Sequence, residues 1–79
     1  MNRHKVQVYS GQIKFLHEYF KDYRDDRVKV EVERLDKIGM VLNVETEMDG
    51  EETVQYLKSL FKKTKYGTAL HYSFKLLES

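Results

Sequence analysis

Three histidines, His4, His17 and His71, are the side chains best suited to bind a metal or transfer a proton near neutral pH. None of them lies four residues from another histidine or from a carboxylate in a ligand-like arrangement. The sequence contains no cysteine, which excludes thiolate zinc ligands, disulfides and a cysteine nucleophile. We therefore predict neither a metal nor a cofactor.

A serine, a histidine and a carboxylate form the second chemical possibility. Ser73, His71 and Glu45 would share one exposed sheet face if strand alternation holds. Nucleophilic catalysis by such a set needs a buried acid that orients the histidine, together with donors that stabilise an oxyanion. A flat, solvated surface supplies neither, so we predict that the protein is not an enzyme. The adjacent carboxylates Asp25 and Asp26 are interpreted as a loop.

A basic edge on the second predicted helix could contact phosphates. It consists of Lys58, Lys62, Lys63 and Lys65. The same helix begins with acidic residues, and this distribution of charge is favoured by the helix dipole without any ligand. Phosphate contact at the lysines is therefore an alternative hypothesis, and nucleic-acid binding is not the favoured one.

Aromatic side chains give the strongest interaction signal. Phe15, Tyr19 and Tyr23 recur every four residues on the first predicted helix, and Tyr56 lies on a similar flank of the second. They widen the apolar face of the first helix to about 160°, whereas one core face requires only ~100°. Aromatic residues are enriched in interface cores, but these residues would also fill the gap between the helices. We predict that they form the interaction surface of a homodimer or of a complex with another protein.

Composition restricts the class of protein. The 79 residues form one predicted domain, 1–79, with 41% hydrophobic residues and a net charge of +1. Such a balance argues against a polybasic nucleic-acid-binding segment and against a disordered acidic tail. No apolar run approaches the roughly 20 residues that span a membrane. The first residues lead into an alternating pattern and not into an apolar signal core, so we predict a cytoplasmic protein without membrane contact.

Hydrophobic periodicity divides the chain into six elements. Period-two alternation predicts strands at 5–9, 28–33, 38–47 and 69–77, and helical spacing predicts helices at 11–24 and from about 50 to 66. Ser10 is the predicted N-cap of the first helix. Asp49 with Glu52 forms a capping pair for the second helix, and Gly67 is its predicted left-handed terminus.

The order β-α-β-β-α-β predicts an α+β fold of the ferredoxin-like type. This sandwich has a four-stranded antiparallel sheet in the order 4-1-3-2, with two helices on one face. Alternation also requires an odd-length hairpin loop, placed at 35–37, with Arg27 opposite Glu45. The predicted core consists of Val6, Val8, Ile13, Leu16, Phe20, Val28, Val30, Val32, Met40, Leu42, Val44, Val54, Leu57, Leu60, Phe61, Leu70, Tyr72, Phe74 and Leu76.

Two protein families share this topology, but the sequence lacks their motifs. RNA-recognition motifs stack bases on aromatic residues of the central strands, whereas the third strand here presents Val41, Asn43 and Glu45. Acylphosphatases carry an arginine in a glycine-flanked anion loop after the first strand, and the segment 10–12 contains no arginine. The resemblance is confined to architecture, from which function does not follow. We predict a non-catalytic protein-interaction or regulatory module that forms a homodimer.

Overall fold

The structure is a computed structural model and describes residues 2–77. Six elements follow one another along the chain, which confirms the α+β class and the antiparallel four-stranded sheet with two helices. They are β1 (Asn2–Tyr9), α1 (Ile13–Phe20), β2 (Val28–Leu35), β3 (Gly39–Thr46), α2 (Gly50–Lys62) and β4 (Ser73–Leu76).

The sheet has the order β2-β3-β1-β4, and every neighbouring pair is antiparallel. The central strands β1 and β3 pair over their whole length, from Asn2 opposite Thr46 to Tyr9 opposite Gly39. β4 pairs with β1 over only four residues. The two edges of the sheet are therefore the long strand β2 and the short strand β4.

One hydrophobic core lies between the sheet and the helices. Rings from three elements meet in it, since Phe20 of α1 lies 6.2 Å from Phe61 of α2 and 5.8 Å from Phe74 of β4. Side chains of this size contribute about 1.5–3 kcal/mol each when fully buried. Most of the predicted core residues are buried, and five are half-buried and pack against the others: Val32, Leu60, Leu70, Tyr72 and Leu76.

The hairpin between β2 and β3 keeps the predicted face but not the predicted register. Val30 lies opposite Val44, so the apolar residues of both strands share the core face as expected. Glu33 is an extra residue in a β-bulge between Val32 and Arg34, and the connection falls at 36–38 instead of 35–37. Because of the bulge and the later turn, each residue of β2 before the bulge lies opposite a residue of β3 two positions further along the chain than predicted. Lys29, and not Arg27, therefore lies opposite Glu45.

The first helix is shorter than predicted at both ends. Ser10 is not its cap: the Ser10 hydroxyl accepts from the Gln12 backbone N–H at 3.0 Å and donates to the His71 carbonyl at 2.8 Å. Gln12 precedes the helix and provides no side-chain cap. The helix ends at Phe20 because Lys21 is extended, with ψ of 128°. Asp22 then adopts a left-handed conformation with φ of 54°, which aspartate tolerates better than most residues.

The second helix begins as predicted, because the Asp49 side chain accepts from the Glu52 backbone N–H at 2.9 Å. Its end differs: the helix stops at Lys62, and Gly67 does not have a positive φ. Gly67 instead packs directly on the last helical turn, where a Cβ would overlap Lys62 and lie 2.5 Å from the Phe61 carbonyl oxygen. The chain then turns through 66–70, so β4 begins at Ser73 and not at residue 69.

Candidate functional site

The predicted aromatic surface lies along the contact between the two helices. Phe15, Tyr19, Tyr23 and Tyr56 are all half-buried. The Tyr19 ring stacks on Tyr23 at 5.5 Å and meets the edge of Phe61 at 5.7 Å. These contacts are intramolecular, so they explain how the broad apolar face of α1 is covered within one chain. The dimer surface at these residues stays a prediction.

Phe15 lies apart from the three tyrosines. Its ring packs at 4.5 Å on the ring of Tyr66, which belongs to the segment after α2. The Lys65 ammonium group lies 5.3 Å from the centre of the Tyr66 ring. The structure therefore divides the predicted surface into a Phe15 end and a tyrosine end.

Asp25 joins the tyrosine end into a hydrogen-bonded cluster. One carboxylate oxygen accepts from the Tyr56 hydroxyl at 2.6 Å and from the Tyr23 hydroxyl at 2.8 Å. The other accepts from the backbone N–H groups of Arg27 at 2.7 Å and Val28 at 3.0 Å. The Arg27 guanidinium group lies 5.8 Å from the Tyr56 ring. The sequence pattern indicates only a loop at Asp25 and does not predict this cluster.

The protonation equilibria of the cluster favour a structural role. Partial burial opposes ionisation of Asp25, but hydrogen bonds from Tyr56, from the Arg27 N–H, from Tyr23 and from the Val28 N–H outweigh it and lower its pKa to about 2. Burial and the bond to Asp25 raise the pKa of Tyr23. The hydrogen bond that Tyr56 donates to Asp25 is the main cause of the raised pKa of Tyr56. A carboxylate that has a low pKa and accepts four hydrogen bonds is a poor general base. Asp25 instead holds the α1–β2 connection against α2.

The candidate catalytic residues are not assembled. Ser73 lies at one end of β1, opposite Tyr9, whereas Glu45 lies six residues away, opposite Arg3. At roughly 3.3 Å per residue this separation is about 20 Å, so no Ser-His-acid set forms. Within residues 2–77, no three histidine or acidic side chains lie close enough to hold a metal ion.

Charged side chains on the open face of the sheet pair with one another. Arg3 pairs with Glu45 at 2.6 Å, and Glu33 accepts from Lys5 at 3.2 Å and from the Asn43 amide at 3.0 Å. The Asn43 hydrogen bond, followed by that of Lys5, lowers the pKa of Glu33. This face is thus a solvated, internally neutralised surface, and exposed ion pairs of this kind contribute little to stability.

The edge at β2 is covered by the chain itself. The Tyr23 carbonyl accepts from the Val30 N–H at 2.8 Å, and the Asp25 N–H donates to the Val28 carbonyl at 2.9 Å. The Asp25 cluster holds this covering segment in place, and the bulge at Glu33 distorts the rest of the edge. Covering segments and bulges are two devices that prevent an edge strand from pairing with another chain.

Within residues 2–77, the edge at β4 has no such cover. The Leu77 N–H donates to the Lys5 carbonyl at 2.8 Å, which fixes the hydrogen-bonding phase of this strand. In an antiparallel pair, alternate residues bond to the neighbour and the others point away. Phe74 and Leu76 therefore direct their N–H and C=O groups outward, and these groups take no partner within residues 2–77.

A groove on the outer side of α2 reaches the β4 edge and is also lined by Arg27 and Tyr56 of the Asp25 cluster. Two hollows of about 870 and 450 Å³ share Gln55 and Ser59 in their linings. Half-buried Leu76 lines the first hollow and half-buried Tyr72 the second. Lys58 and Lys62 are exposed and line the second hollow, whereas the other predicted phosphate-contacting residues, Lys63 and Lys65, are exposed beyond it. We call the outward groups of Phe74 and Leu76, together with this groove, the β4 edge.

The chain matches no protein-family model, no curated protein and no solved structure. Across residues 2–77, neither helix is long and apolar enough to span a membrane.

Proposed function

We propose that this chain is a small non-catalytic interaction module with the architecture of a ferredoxin-like sandwich. The element order and the sheet order β2-β3-β1-β4 support the ferredoxin-like assignment. The module binds a partner by adding one of that partner's strands to the β4 edge. This mode of recognition uses main-chain hydrogen bonds for affinity and side-chain pockets for selection.

The observation that carries this proposal is the contrast between the two edges of the sheet. The β2 edge is covered by the segment 23–25, whereas nothing among residues 2–77 covers the N–H and C=O groups of Phe74 and Leu76. An edge strand with unpaired backbone groups is a template for another strand. Half-buried Tyr72 and Leu76 provide apolar contacts for the incoming segment.

Removal of one outward N–H tests the proposal. Leu76→Pro deletes the N–H that would bond to the partner, and proline is tolerated in an edge strand where its N side faces solvent. Leu76→Ala is the matched control, because it removes the contact of Leu76 with Gly50 but keeps the N–H. In affinity purification from the native host with nuclease present, we expect the parent to retain a bound partner, Leu76→Ala to retain less of it because one side-chain contact is lost, and Leu76→Pro to lose it.

Hydrogen exchange gives a second measurement on the same atoms. The amides of Phe74 and Leu76 should exchange rapidly in the unbound protein and become protected when a partner binds. Equal capture by Leu76→Pro and the parent would contradict the proposal. So would binding that leaves both amides unprotected.

The alternative proposal is phosphate contact through Lys58, Lys62, Lys63 and Lys65. It is supported by the exposure of all four and by the absence of any ion pair to them within residues 2–77. Phosphate binding weakens steeply as salt rises, whereas strand addition does not. A capture that nuclease abolishes would favour this alternative.

A further inference from the structure

We infer that the strand that pairs with the β4 edge is the β4 strand of a second copy of this chain, which joins two sheets into one of eight strands. This inference rests on the proposed function and names the partner of the same site. Three features carry it: the hydrogen-bonding phase of β4, the charges along β4, and the charges along the flank of α2 beside the groove.

The phase and charge of β4 favour a symmetric register centred on Phe74. A two-fold axis through Phe74 pairs the outward groups of Phe74 with those of its copy, and pairs residue 72 with Leu76 of the other chain. Ser73 then lies opposite Lys75 of the second copy. An axis one residue later would place Lys75 directly opposite its own copy, and like charges in that position destabilise a sheet.

The apolar residues continue the core across this axis. Phe74 is buried on the face that carries the helices, and Leu76 and Tyr72 are half-buried beside it. In the register centred on Phe74, the two Phe74 side chains face each other and each Leu76 meets Tyr72 of the other copy. Aromatic and aliphatic cross-strand pairs of this kind stabilise the joined edge.

The same axis brings the two α2 helices side by side. Gly50, at the start of α2, lies against Leu76, and Phe61, near its end, packs on Tyr72 at 5.1 Å, so α2 runs antiparallel to β4. Neighbouring strands lie ~4.8 Å apart, and a helix above the β1–β4 pair would thus lie about 10 Å from its copy. This is the usual distance between packed helices, and the two helices would be antiparallel.

Charge on this flank of α2 is self-complementary in the antiparallel arrangement. Glu51 and Glu52 line the groove at the start of the helix, and Lys58 and Lys62 line it towards the end. An antiparallel copy places the acidic start of each helix beside the basic end of the other, with Gln55 and Ser59 near the axis. A flank with one sign of charge would have opposed self-association; this flank favours it.

A charge-reversal pair on β4 tests the inference through the sheet register. Ser73→Lys places a lysine opposite Lys75 of the second copy, twice per dimer. The double variant Ser73→Lys/Lys75→Glu restores opposite charges at the same two sites. Both changes lie on the exposed side of the strand, so circular dichroism and thermal unfolding should match those of the parent.

Sedimentation equilibrium over a concentration series is the measurement. We expect a dimer for the parent, a Kd raised about tenfold by Ser73→Lys from two like-charge pairs, and recovery of most of that loss in the double variant. A parent that stays monomeric at high micromolar concentration would overturn the inference. So would a dimer whose Kd is the same in all three proteins, because its interface would lie elsewhere.

Failure of this inference and failure of the proposed function give different results. A monomeric parent that still loses a captured protein through Leu76→Pro would keep strand addition as the function and assign the strand to another protein. A monomeric parent whose capture is unaffected by Leu76→Pro would overturn both.

Discussion

At the scale of single residues, Asp25 joins the α1–β2 connection to α2 through four hydrogen bonds. Its pKa of about 2 lies below the ordinary value of 3.8, so its ionised form stabilises the folded state above pH 4, and this contribution is lost as the pH falls towards 2. We expect Asp25→Asn to lower the free energy of unfolding by about 1 kcal/mol at pH 7, a value reduced by the exposure of the carboxylate. Urea unfolding at pH 7 and at pH 2 measures this, and the difference from the parent should be smaller at the lower pH. Asp26→Asn, at the exposed neighbouring residue, is the control, and an equal loss in both variants would contradict the role of Asp25.

The sequence contains only part of the signal for this cluster. The Asp25 carboxylate accepts hydrogen bonds from the N–H groups of Arg27 and Val28, two and three residues later in the chain. Aspartate commonly makes such local bonds in turns, so these two could have been predicted from the sequence. The bond to Tyr56 spans 31 residues and depends on where α2 lies relative to the α1–β2 connection. Spacing along the chain carries no such information. The tyrosines were therefore predicted as an interaction surface, without their link to Asp25.

At the scale of elements, the end of α2 depends on close packing of Gly67 and not on a left-handed residue. A Cβ at this position would overlap Lys62 and the Phe61 carbonyl, and both are helix backbone that cannot rotate away. We expect Gly67→Ala to cost about 1–3 kcal/mol, as overpacking does. Gly11→Ala is the matched control, because a Cβ at Gly11 meets nothing within 4 Å and should change stability by less than ~0.5 kcal/mol. Thermal unfolding of the two variants measures the difference, and a Gly67→Ala protein as stable as the parent would contradict it.

Element types were predictable because each depends on a local period, and element ends were less so because they depend on contacts. The alternation from Val28 to Val32 fixed which face of β2 is buried. The bulge at Glu33 keeps that face while moving the turn, and nothing in the alternation marks an extra residue near the end of a strand. In the same way, β4 starts late because the turn through 66–70 takes residues whose pattern resembles a strand.

At the scale of the whole molecule, the fold separates a covered edge from an uncovered one. The segment 23–25 closes β2 and is itself held by Asp25. By contrast, the outer N–H and C=O groups of Phe74 and Leu76 have no partner in the part of the chain that the structure describes, residues 2–77. The tyrosines of the predicted aromatic surface lie between the helices, where Tyr19 contacts Phe61. The two candidate faces for a dimer are therefore different surfaces, and one substitution distinguishes them.

Tyr19→Lys is that substitution. The Tyr19 ring is half-buried against Tyr23, Phe20 and Phe61, and burial raises the pKa of its hydroxyl. Loss of the ring and introduction of a charge should lower the free energy of unfolding by about 1–3 kcal/mol, while the folded fraction keeps the Kd of the parent dimer if the β4 edge is the interface. Tyr19→Phe keeps the ring contacts, loses the hydroxyl with its long 3.5 Å hydrogen bond to the Leu60 carbonyl, and is the control. Chemical unfolding and sedimentation equilibrium measure both quantities. A Tyr19→Lys protein that is as stable as the parent but monomeric would place the interface on the helical face instead, because only an exposed Tyr19 could be lost without cost to the fold.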